Sequence, residues 1–208
     1  MQKLRVKNKL ILFGSTGSNY GALENKICTE ETPLNPISVY GKTKTAAEQH
    51  LMENCKTIAY RFATAFGVSP RMRLDLLIND FVHKAVTEKY LVVYESHFMR
   101  TFIHVQDIAQ SFLFALSNTE KMSGQVYNVG SEKLNFNKAE ICEKIKKHVE
   151  YYLHLADVGE DADKRNYVVS YEKINKLGYK TSIDIDGGII ELAKAMELLS
   201  FNNPYSNA

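Results

Sequence analysis

The sequence predicts an α/β protein in which strands and helices alternate along the chain. Short apolar runs with β character, the first at residues 9–13, are separated by longer segments with apolar residues at helical spacing, as at 105–117. The chain has 208 residues, of which 45% are hydrophobic, so it can bury the core of one globular unit. Alternation of this kind is typical of a mostly parallel sheet with helices packed on its faces.

The individual elements follow from these patterns. Strands are predicted at residues 9–13, 57–63, 91–94, 102–104 and 126–129. Helices are predicted at residues 39–54, 75–87, 105–117, 137–148, 173–177 and 187–199. Residues 14–38 are predicted to form a loop, because they contain Pro33 and Pro36 and the residue before a proline disfavours helix.

The helix predicted at residues 105–117 has an apolar face at a spacing of three to four residues. Ile108, Phe112, Leu113 and Leu116 are expected to point towards the core on this face.

Tyr40 and Lys44 lie four residues apart in the first predicted helix. Four residues is close to one helical turn, so both side chains are expected on one face. A free tyrosine titrates near pH ~10, too high for an efficient base at neutral pH. A neighbouring ammonium favours the phenolate, and the pair is therefore a candidate proton carrier for an alcohol or carbonyl substrate. The spacing alone favours the alternative, a surface tyrosine and lysine that share a helix face by chance.

Hydroxyl-bearing residues follow the first predicted strand at once, in the segment GSTGSNYG at residues 14–21. Open α/β sheets bind ligands at the carboxyl ends of their strands. Thr16 is therefore a candidate to bond the same substrate oxygen that Tyr40 protonates.

These segments resemble the extended short-chain dehydrogenase/reductase family, the NAD-dependent nucleotide-sugar epimerases and dehydratases. Members of that family carry a strand ending in Ser-Ser/Thr-x-x-x-Tyr-Gly and then a Pro-x-x-x-Tyr-x-x-x-Lys helix. The corresponding residues here are 15–21 and 36–44. The resemblance continues in register to about Leu198. Its further segments are residues 60–70, 100–109, 124–130 and 163–179.

The resemblance implies a fold, a cofactor and a substrate class. The fold is the C-terminal portion of a Rossmann-type doubly wound sheet plus a small α/β substrate-binding region. Residues 1–66 correspond to a partial NAD-binding region with the Tyr-x-x-x-Lys helix. Residues 67–208 correspond mainly to the nucleotide-sugar-binding region, interleaved with the last Rossmann elements. The implied cofactor is NAD or NADP, and the implied substrate is a nucleotide sugar.

The resemblance also assigns roles to individual residues. The implied catalytic residues are Thr16, Tyr40 and Lys44. The implied cofactor contacts are Ser15, Tyr40 and Lys44. The substrate contacts are Thr64, Arg71, Arg73 and Arg100.

Each of the substrate contacts has a qualification. Arg100 matches an arginine that pairs with a nucleotide phosphate, and the alternative is a surface arginine. Arg71 and Arg73 are candidates for the same diphosphate, or for solvated positions on a loop. Thr64 stands where the family commonly has an asparagine, so we expect sugar and nucleotide contacts that differ from those of well-known members.

Three other residues have structural interpretations. Asp75 is expected to be a carboxylate at a helix start rather than a catalyst. His104 is expected to be a core histidine, and Asn128 is expected to be structural in its turn.

One family feature has no counterpart here. The family begins with a strand and a Gly-x-x-Gly-x-x-Gly turn, whose amides hold the dinucleotide pyrophosphate. The spacing of Gly14, Gly17 and Gly21 does not match that turn, and no helical pattern follows them. We therefore expect compromised NAD binding by this chain. We also do not expect it to form the family's homodimer, which uses a second helix from the same missing region.

A second departure from the family pattern limits which reaction is expected. Dehydratases of the family usually follow the catalytic threonine with an Asp-Glu pair that serves as acid and base. Gly17 and Ser18 occupy those positions here. We therefore expect an epimerase or a C4 dehydrogenase/reductase rather than a 4,6-dehydratase. The alternative is a truncated or non-catalytic relative that binds a nucleotide sugar without turnover.

The composition excludes several other classes. A formal net charge of +2 gives no reason to expect nucleic-acid or membrane binding, and no apolar run approaches the ~20 residues of a membrane span. Cys28, Cys55 and Cys142 are odd in number and widely spaced, as expected for reduced thiols in a cytoplasmic protein. The six histidines show no metal-binding spacing, so no metal is expected.

Overall fold

Strands and helices alternate in the computed structural model, which describes residues 9–159 and 166–199. The match to the family at residues 163–165 lies outside these ranges. The strands are β1 (Ile11–Thr16), β2 (Ala22–Cys28), β3 (Thr57–Phe62), β4 (Thr64–Phe66), β5 (Tyr90–Tyr94), β6 (Met99–His104), β7 (Gln125–Val129), β8 (Asn135–Asn137), β9 (Tyr152–Ala156) and β10 (Asn166–Val169). The α-helices are α1 (Val39–Asn54), α2 (Leu77–Thr87), α3 (Val105–Ser117), α4 (Thr119–Met122), α5 (Lys138–Lys146), α6 (Glu172–Asn175) and α7 (Ile185–Leu198). Within those two ranges, no helix has both the length and the hydropathy that a bilayer span requires.

The predicted α/β fold with parallel strands is confirmed by the sheet topology. The strands β1, β3 and β7 form a parallel sheet with β3 in the middle. Thr16 pairs with Phe62, which pairs with Val129, so the three carboxyl ends meet at one edge. Parallel pairs also join β2 to β10, β4 to β6 and β5 to β9, whereas β8 runs antiparallel to β6. The edge formed by the ends of β1, β3 and β7 is where such sheets bind ligands.

Two hydrophobic clusters form the core. One surrounds the β1–β3–β7 sheet, where the Tyr60 ring centroid lies 5.5 Å from that of Phe62 and 5.6 Å from that of Phe112. The other joins α2, α5 and α7 to β5 through buried side chains that include Val82 and Leu192. The first cluster supports the sheet edge, and the second supports the segment that follows β4.

The predicted bounds of α1 and α3 are confirmed, but the loop predicted at residues 14–38 is wrong. The strand β1 continues to Thr16, a 3₁₀ helix covers Gly17–Tyr20, and Ala22–Cys28 forms β2. The sequence of β2, ALENKIC, lacks apolar alternation, and its conformation depends on pairing with β10 far along the chain. Strand formation here is therefore imposed by tertiary contacts.

The predicted inward face of α3 is also partly wrong. Leu113 and Leu116 are 56% and 59% exposed, and the buried side chains of this helix include Ser111 and Ala115 instead. The Tyr60 hydroxyl donates a hydrogen bond of 2.9 Å to the Ser111 carbonyl. Small side chains on this face permit that close approach of the helix to the sheet.

Candidate active site

The first turn of α1 is held against the end of β1. The Ser38 hydroxyl caps the helix by accepting from the Gly41 amide at 3.0 Å. A Cβ at Gly41 would lie 3.2 Å from the Ser18 carbonyl oxygen and 3.0 Å from the Cβ of Pro36. Glycine therefore lets the helix start approach the 3₁₀ helix that follows β1, which brings the adjacent Tyr40 to the sheet edge.

Lys44 links Tyr40 to β1. Its Nζ donates a hydrogen bond of 2.8 Å to the Gly14 carbonyl oxygen. The same Nζ lies 5.0 Å from the Phe13 ring centroid and 5.9 Å from the Tyr40 ring centroid. Tyr40 itself is 54% exposed. The predicted pair thus shares one helix face, with the phenol accessible to a ligand.

Thr16 is the last residue of β1 and lies two residues beyond the Gly14 anchor of Lys44. Its hydroxyl accepts a 3.1 Å hydrogen bond from the Ser18 amide and donates one of 3.2 Å to the Ser18 hydroxyl. A hydroxyl has two acceptor lone pairs, so these bonds leave one acceptor position on Thr16. The three predicted catalytic residues therefore lie at one end of the β1–β3–β7 sheet.

Beneath this edge lies a buried charge pair that the sequence interpretation missed. Glu48 of α1 is 2% exposed and accepts hydrogen bonds from Nη2 of Arg61 at 2.6 Å and from its Nε at 3.1 Å. Burial alone lowers the pKa of Arg61, but its bonds to Glu48 and Tyr20 outweigh burial and raise that pKa. The pair fixes α1 to β3. Glu48 lies four residues after Lys44, so continuing the helix-face spacing from Tyr40 would have identified it.

The buried pair extends into a hydrogen-bonded network. Arg61 Nη1 donates to the Tyr20 hydroxyl at 3.1 Å, and that hydroxyl donates to Asn128 Oδ1 at 2.7 Å. Burial, partly offset by Arg61, raises the pKa of Tyr20 to about 12. Tyr20 therefore remains neutral at physiological pH. The backbone amide of Asn128 also donates to Glu30 at 2.7 Å. Asn128 is fully buried and has a structural role, but it lies in β7 and not in the turn where it was expected.

Ser15 belongs to the same network. Its hydroxyl donates a 2.5 Å hydrogen bond to Glu48 and accepts one of 3.0 Å from Asn19 Nδ2. Ser15 is 4% exposed. The side chain predicted to contact a cofactor is thus turned to the network, and only the backbone of Ser15 remains for such a contact.

Two predicted substrate contacts occupy partly or fully covered positions. Arg100 is 2% exposed, so the alternative of a surface arginine is wrong. Its Nη1 donates to the Met99 carbonyl oxygen at 3.0 Å. Thr64 begins β4 two residues after Phe62, which pairs with Thr16, and it therefore follows the same sheet edge.

The other two predicted contacts lie on the segment between β4 and α2. Arg71 is exposed and Arg73 is half-buried, while Met72 and Leu74 between and after them are buried in the core. Asp75 does not start the helix, which begins at Leu77. The expected helix-start role of Asp75 is thus wrong.

Asp75 forms a bidentate ion pair with Arg73. The Arg73 Nε lies 2.9 Å from Oδ1 of Asp75, and Nη2 lies 2.5 Å from Oδ2. The hydrogen bond to Arg73 lowers the pKa of Asp75, and the same bond raises the pKa of Arg73. Both groups are therefore charged at neutral pH.

His104 is a core histidine, as expected. It is fully buried, and its Nε2 lies 2.7 Å from a carboxylate oxygen of Glu191. Its Nδ1 accepts from the Gln106 amide at 3.3 Å and caps α3. In the part of the chain that the structure describes, no three His, Cys, Asp or Glu side chains are grouped to hold a metal ion.

Comparison with known proteins assigns the family. Residues 1–130, more than half of the chain, match the NAD dependent epimerase/dehydratase family. The chain belongs to this family, the extended short-chain dehydrogenase/reductases that include nucleotide-sugar epimerases.

Individual relatives are longer than this chain. UDP-glucose 4-epimerase 4 of Oryza sativa subsp. japonica is 28% identical over 159 residues, which cover 60% of this chain and 40% of that protein. The low-salt glycan biosynthesis protein Agl12 of Haloferax volcanii is 27% identical over 184 residues, which cover 84% of this chain and 57% of that protein. This chain therefore spans only about half the length of these relatives.

A solved structure has the same fold. The UDP-glucuronic acid 4-epimerase of Bacillus cereus, in complex with UDP-glucuronic acid and NAD, aligns with a TM-score of 0.77. The two sequences are 22% identical, and the alignment covers 94% of this chain and 64% of that chain.

Proposed function

We propose that this chain supplies the substrate-side residues of an NAD(P)-dependent enzyme that exchanges hydride at a sugar carbon of a nucleotide-activated sugar. The observation that carries the proposal is the Lys44 ammonium, which bonds Gly14 of β1 and lies 5.9 Å from the Tyr40 ring centroid. Thr16 is two residues beyond that bond. The UDP-sugar names of the rice and Bacillus cereus relatives support this substrate class.

Each of the three residues has one task. Tyr40, as the phenolate, takes the proton of the sugar hydroxyl, and the exposure of its ring leaves room for that hydroxyl. Lys44 stabilises the phenolate by its positive charge. Thr16 donates its hydroxyl hydrogen to the same sugar oxygen, in place of its 3.2 Å bond to the Ser18 hydroxyl, and so orients that oxygen for proton transfer.

The donor set of Lys44 suits a bound dinucleotide. An ammonium has three N–H donors, and the Gly14 carbonyl takes one of them. The remaining donors can hold the hydroxyls of a nicotinamide ribose beside Tyr40. The bound cofactor supplies a hydride acceptor and donor. Lys44 and Tyr40 are thus the side-chain cofactor contacts that this chain provides, and the backbone of Ser15 is a further candidate.

Epimerisation, or a single C4 oxidation or reduction, fits this chain better than elimination of water. Elimination at the next carbon needs an additional acid and base, and Gly17 and Ser18 supply neither carboxylate. A Cβ at Gly17 would lie 3.3 Å from the Tyr167 hydroxyl and 3.4 Å from the Phe62 carbonyl oxygen. These contacts leave little space for an acidic side chain at that position.

The two core clusters support a division of the fold into a nucleotide-binding region and a sugar-binding region. We assign residues 1–66 to the C-terminal portion of a doubly wound nucleotide-binding sheet. Residues 67–208 bind mainly the nucleotide sugar. The later segment Tyr167 to Tyr179 packs in the sheet cluster, so the two regions interleave along the chain.

A second candidate function is binding of a nucleotide sugar without turnover. The observation that favours it is that the Ser15 hydroxyl is donated to Glu48 and the Thr16 hydroxyl to Ser18 in the structure. In this case the Tyr40 site is retained as a binding surface only.

Calorimetric titration of the purified chain tests the proposal. We expect weak binding of UDP-glucose, used as the probe, and almost no heat from NAD. The physical reason is that the residues that hold the sugar are present, whereas the amides that hold a pyrophosphate are not. Micromolar NAD binding would contradict our account of the cofactor contacts, and no binding of UDP-glucose would contradict the proposed substrate class.

A further inference from the structure

We propose that Glu30 is a positioning residue for the Tyr40 site. Its side chain and its backbone oxygen bind two strands of the sheet, and these bonds hold residues 29–38, the connecting segment that leads into α1. Tyr40 lies in the first turn of α1, so the position of its phenol depends on that segment. The inference rests on the proposed function and adds a residue to which the family resemblance gives no role.

Glu30 contacts two strands at once. Its Oε1 accepts a 2.7 Å hydrogen bond from the backbone amide of Asn128 in β7, and its carbonyl oxygen accepts a 3.1 Å bond from Nη1 of Arg61 in β3. Asn128 pairs with Arg61 across the parallel sheet, so the two donors are neighbours. A hydrogen bond to a carboxylate is stronger than one between neutral groups. Glu30 therefore fixes the start of the connecting segment to the sheet.

The same arginine links the connecting segment to the body of α1. Nη1 of Arg61 binds the carbonyl oxygen of Glu30, whereas its Nη2 donates to Glu48 of α1 at 2.6 Å. A guanidinium carries its five N–H donors in one rigid plane. Because both bonds come from this plane, the segment before α1 and the second half of the helix are held in a fixed relation to β3.

The other end of the connecting segment is fixed beside the 3₁₀ helix that follows β1. The Asn35 amide donates to the Asn19 carbonyl oxygen at 2.9 Å. Gly21 has φ +78°, and a Cβ at this position would overlap the Asn35 carbonyl oxygen. Between the two ends, Leu34 packs against the hydrophobic cluster of the sheet. The segment is therefore held at Glu30, in its middle and at Asn35.

The first turn of α1 depends on the connecting segment more than the rest of the helix does. Amides in the first turn of a helix have no partner within the helix and rely on the preceding chain. Here Ser38, at the end of the segment, accepts from the Gly41 amide at 3.0 Å. Lys44, one turn further on, is held separately by its bond to Gly14. Loss of the Glu30 contact therefore displaces Tyr40 while Lys44 stays in place.

The experiment compares the purified chain with four variants. Glu30→Ala removes the acceptor for the Asn128 amide, and Glu30→Gln keeps an oxygen acceptor but removes the charge. Glu31→Ala is the matched control, because it removes the adjacent, exposed carboxylate of the same segment. Circular dichroism of each variant checks that the fold is retained. If Glu30→Ala does not fold, Glu30→Asp, which is shorter by one methylene, takes its place in both measurements.

The first measurement is amide hydrogen exchange without ligand. The informative amides are those of Gly41 and Lys42, which both bond Ser38. We expect Glu30→Ala to accelerate their exchange at least about tenfold, because one hydrogen bond to a charged group is lost, and to leave residues 46–52 within about twofold of the parent. Equal acceleration along the whole helix would show that Glu30 only adds to overall stability, and would overturn the positioning role.

The second measurement is the affinity for UDP-glucose by calorimetric titration. We expect Glu30→Ala to weaken binding at least about fivefold, and Glu30→Gln and Glu31→Ala to stay within about twofold of the parent. Recovery by glutamine shows that the acceptor oxygen, and not the charge, carries the effect. Removing a negative charge strengthens binding of an anionic ligand if Glu30 acts only through its charge. Tighter binding by both Glu30→Ala and Glu30→Gln would therefore overturn the inference.

The inference and the proposed function fail in different ways. If the parent chain binds UDP-glucose but Glu30→Ala leaves the exchange of the Gly41 and Lys42 amides unchanged, the inference is wrong and the proposed function stands. If the parent chain does not bind UDP-glucose, the proposed function is wrong, and the assignment of Glu30 to that site falls with it.

Discussion

Glu48 is the side chain on which the position of the candidate site depends most. Its carboxylate, on α1, bonds Ser15 of β1 and Arg61 of β3 and is almost fully buried. A buried ion pair is costly to desolvate, but removing only one partner leaves an uncompensated charge. Glu48 therefore connects the helix that carries Tyr40 to two strands of the sheet.

We predict that Glu48→Gln destabilises the chain by about 3–5 kcal/mol, because the buried Arg61 guanidinium loses its counter-ion. Urea unfolding followed by circular dichroism measures the change. The control is Glu53→Gln, on an exposed position of the same helix, which should stay within about 0.5 kcal/mol of the parent. A loss below about 1 kcal/mol for Glu48→Gln would show that the pair does not hold α1 in place.

Individual site residues differ in how far the sequence could predict them. Tyr40 and Lys44 are related by helix spacing, and extending that spacing by one further turn leads to Glu48. The partner of Glu48 could not be predicted in the same way. Arg61 approaches Glu48 only because β3 packs beside α1. No pattern in the sequence around either residue indicates that contact. The orientation of the Ser15 hydroxyl could not be predicted either. It depends on hydrogen bonds with Glu48 and Asn19 that form only in the folded chain.

The turn from β4 to α2 requires glycine at one position. Gly67 has φ +112°, a conformation that favours glycine, and a Cβ at this position would overlap the His104 imidazole. Its amide donates to Asn79, which also bonds the Arg73 carbonyl. Glycine at this position therefore lets the segment that carries Arg73 pack against the core.

We predict that Gly67→Ala destabilises the chain by about 1–3 kcal/mol more than Gly124→Ala. Gly124 is a matched control, because it also has a positive φ, +76°, but nothing lies within 4 Å of an added Cβ. Its substitution should cost only the backbone strain, about 1–2 kcal/mol. Thermal unfolding of both variants gives the comparison. Equal losses would mean that the His104 contact does not restrict this turn.

Helices were predicted more accurately than strands because their signals are local. Ser38 caps α1, and an uninterrupted run of helix-compatible residues follows, so both ends of that helix could be predicted. By contrast, β2 becomes a strand through pairing with β10, and short strands such as β4 carry too few residues for a pattern. Leu113 and Leu116 have the spacing of an apolar face, but the helix buries Ser111 and Ala115 instead, with Ser111 bonded to Tyr60, so the two leucines face outwards.

For the chain as a whole, the resemblance in ordered segments identified the family, whereas no single motif would have done so. The match extends over residues 1–130, and the fold agrees with that of the Bacillus cereus enzyme over 94% of this chain. The candidate site lies where the carboxyl end of β1 meets the start of α1, and the buried pair of Glu48 and Arg61 holds α1 to the sheet beside it.

The most direct test of the proposed proton transfer is the turnover of a nucleotide sugar by a Tyr40→Phe variant. The measurement is made in a protein that joins this chain to a family glycine-rich turn, with UDP-glucose and NAD as probes. We predict that kcat falls about 10²- to 10⁴-fold, as expected for loss of a general base, while UDP-glucose affinity stays within twofold. Tyr90→Phe is the control, because Tyr90 is 53% exposed and Tyr40 is 54% exposed. Near-normal turnover by Tyr40→Phe, equal to that of Tyr90→Phe, would contradict a role for this phenol in proton transfer.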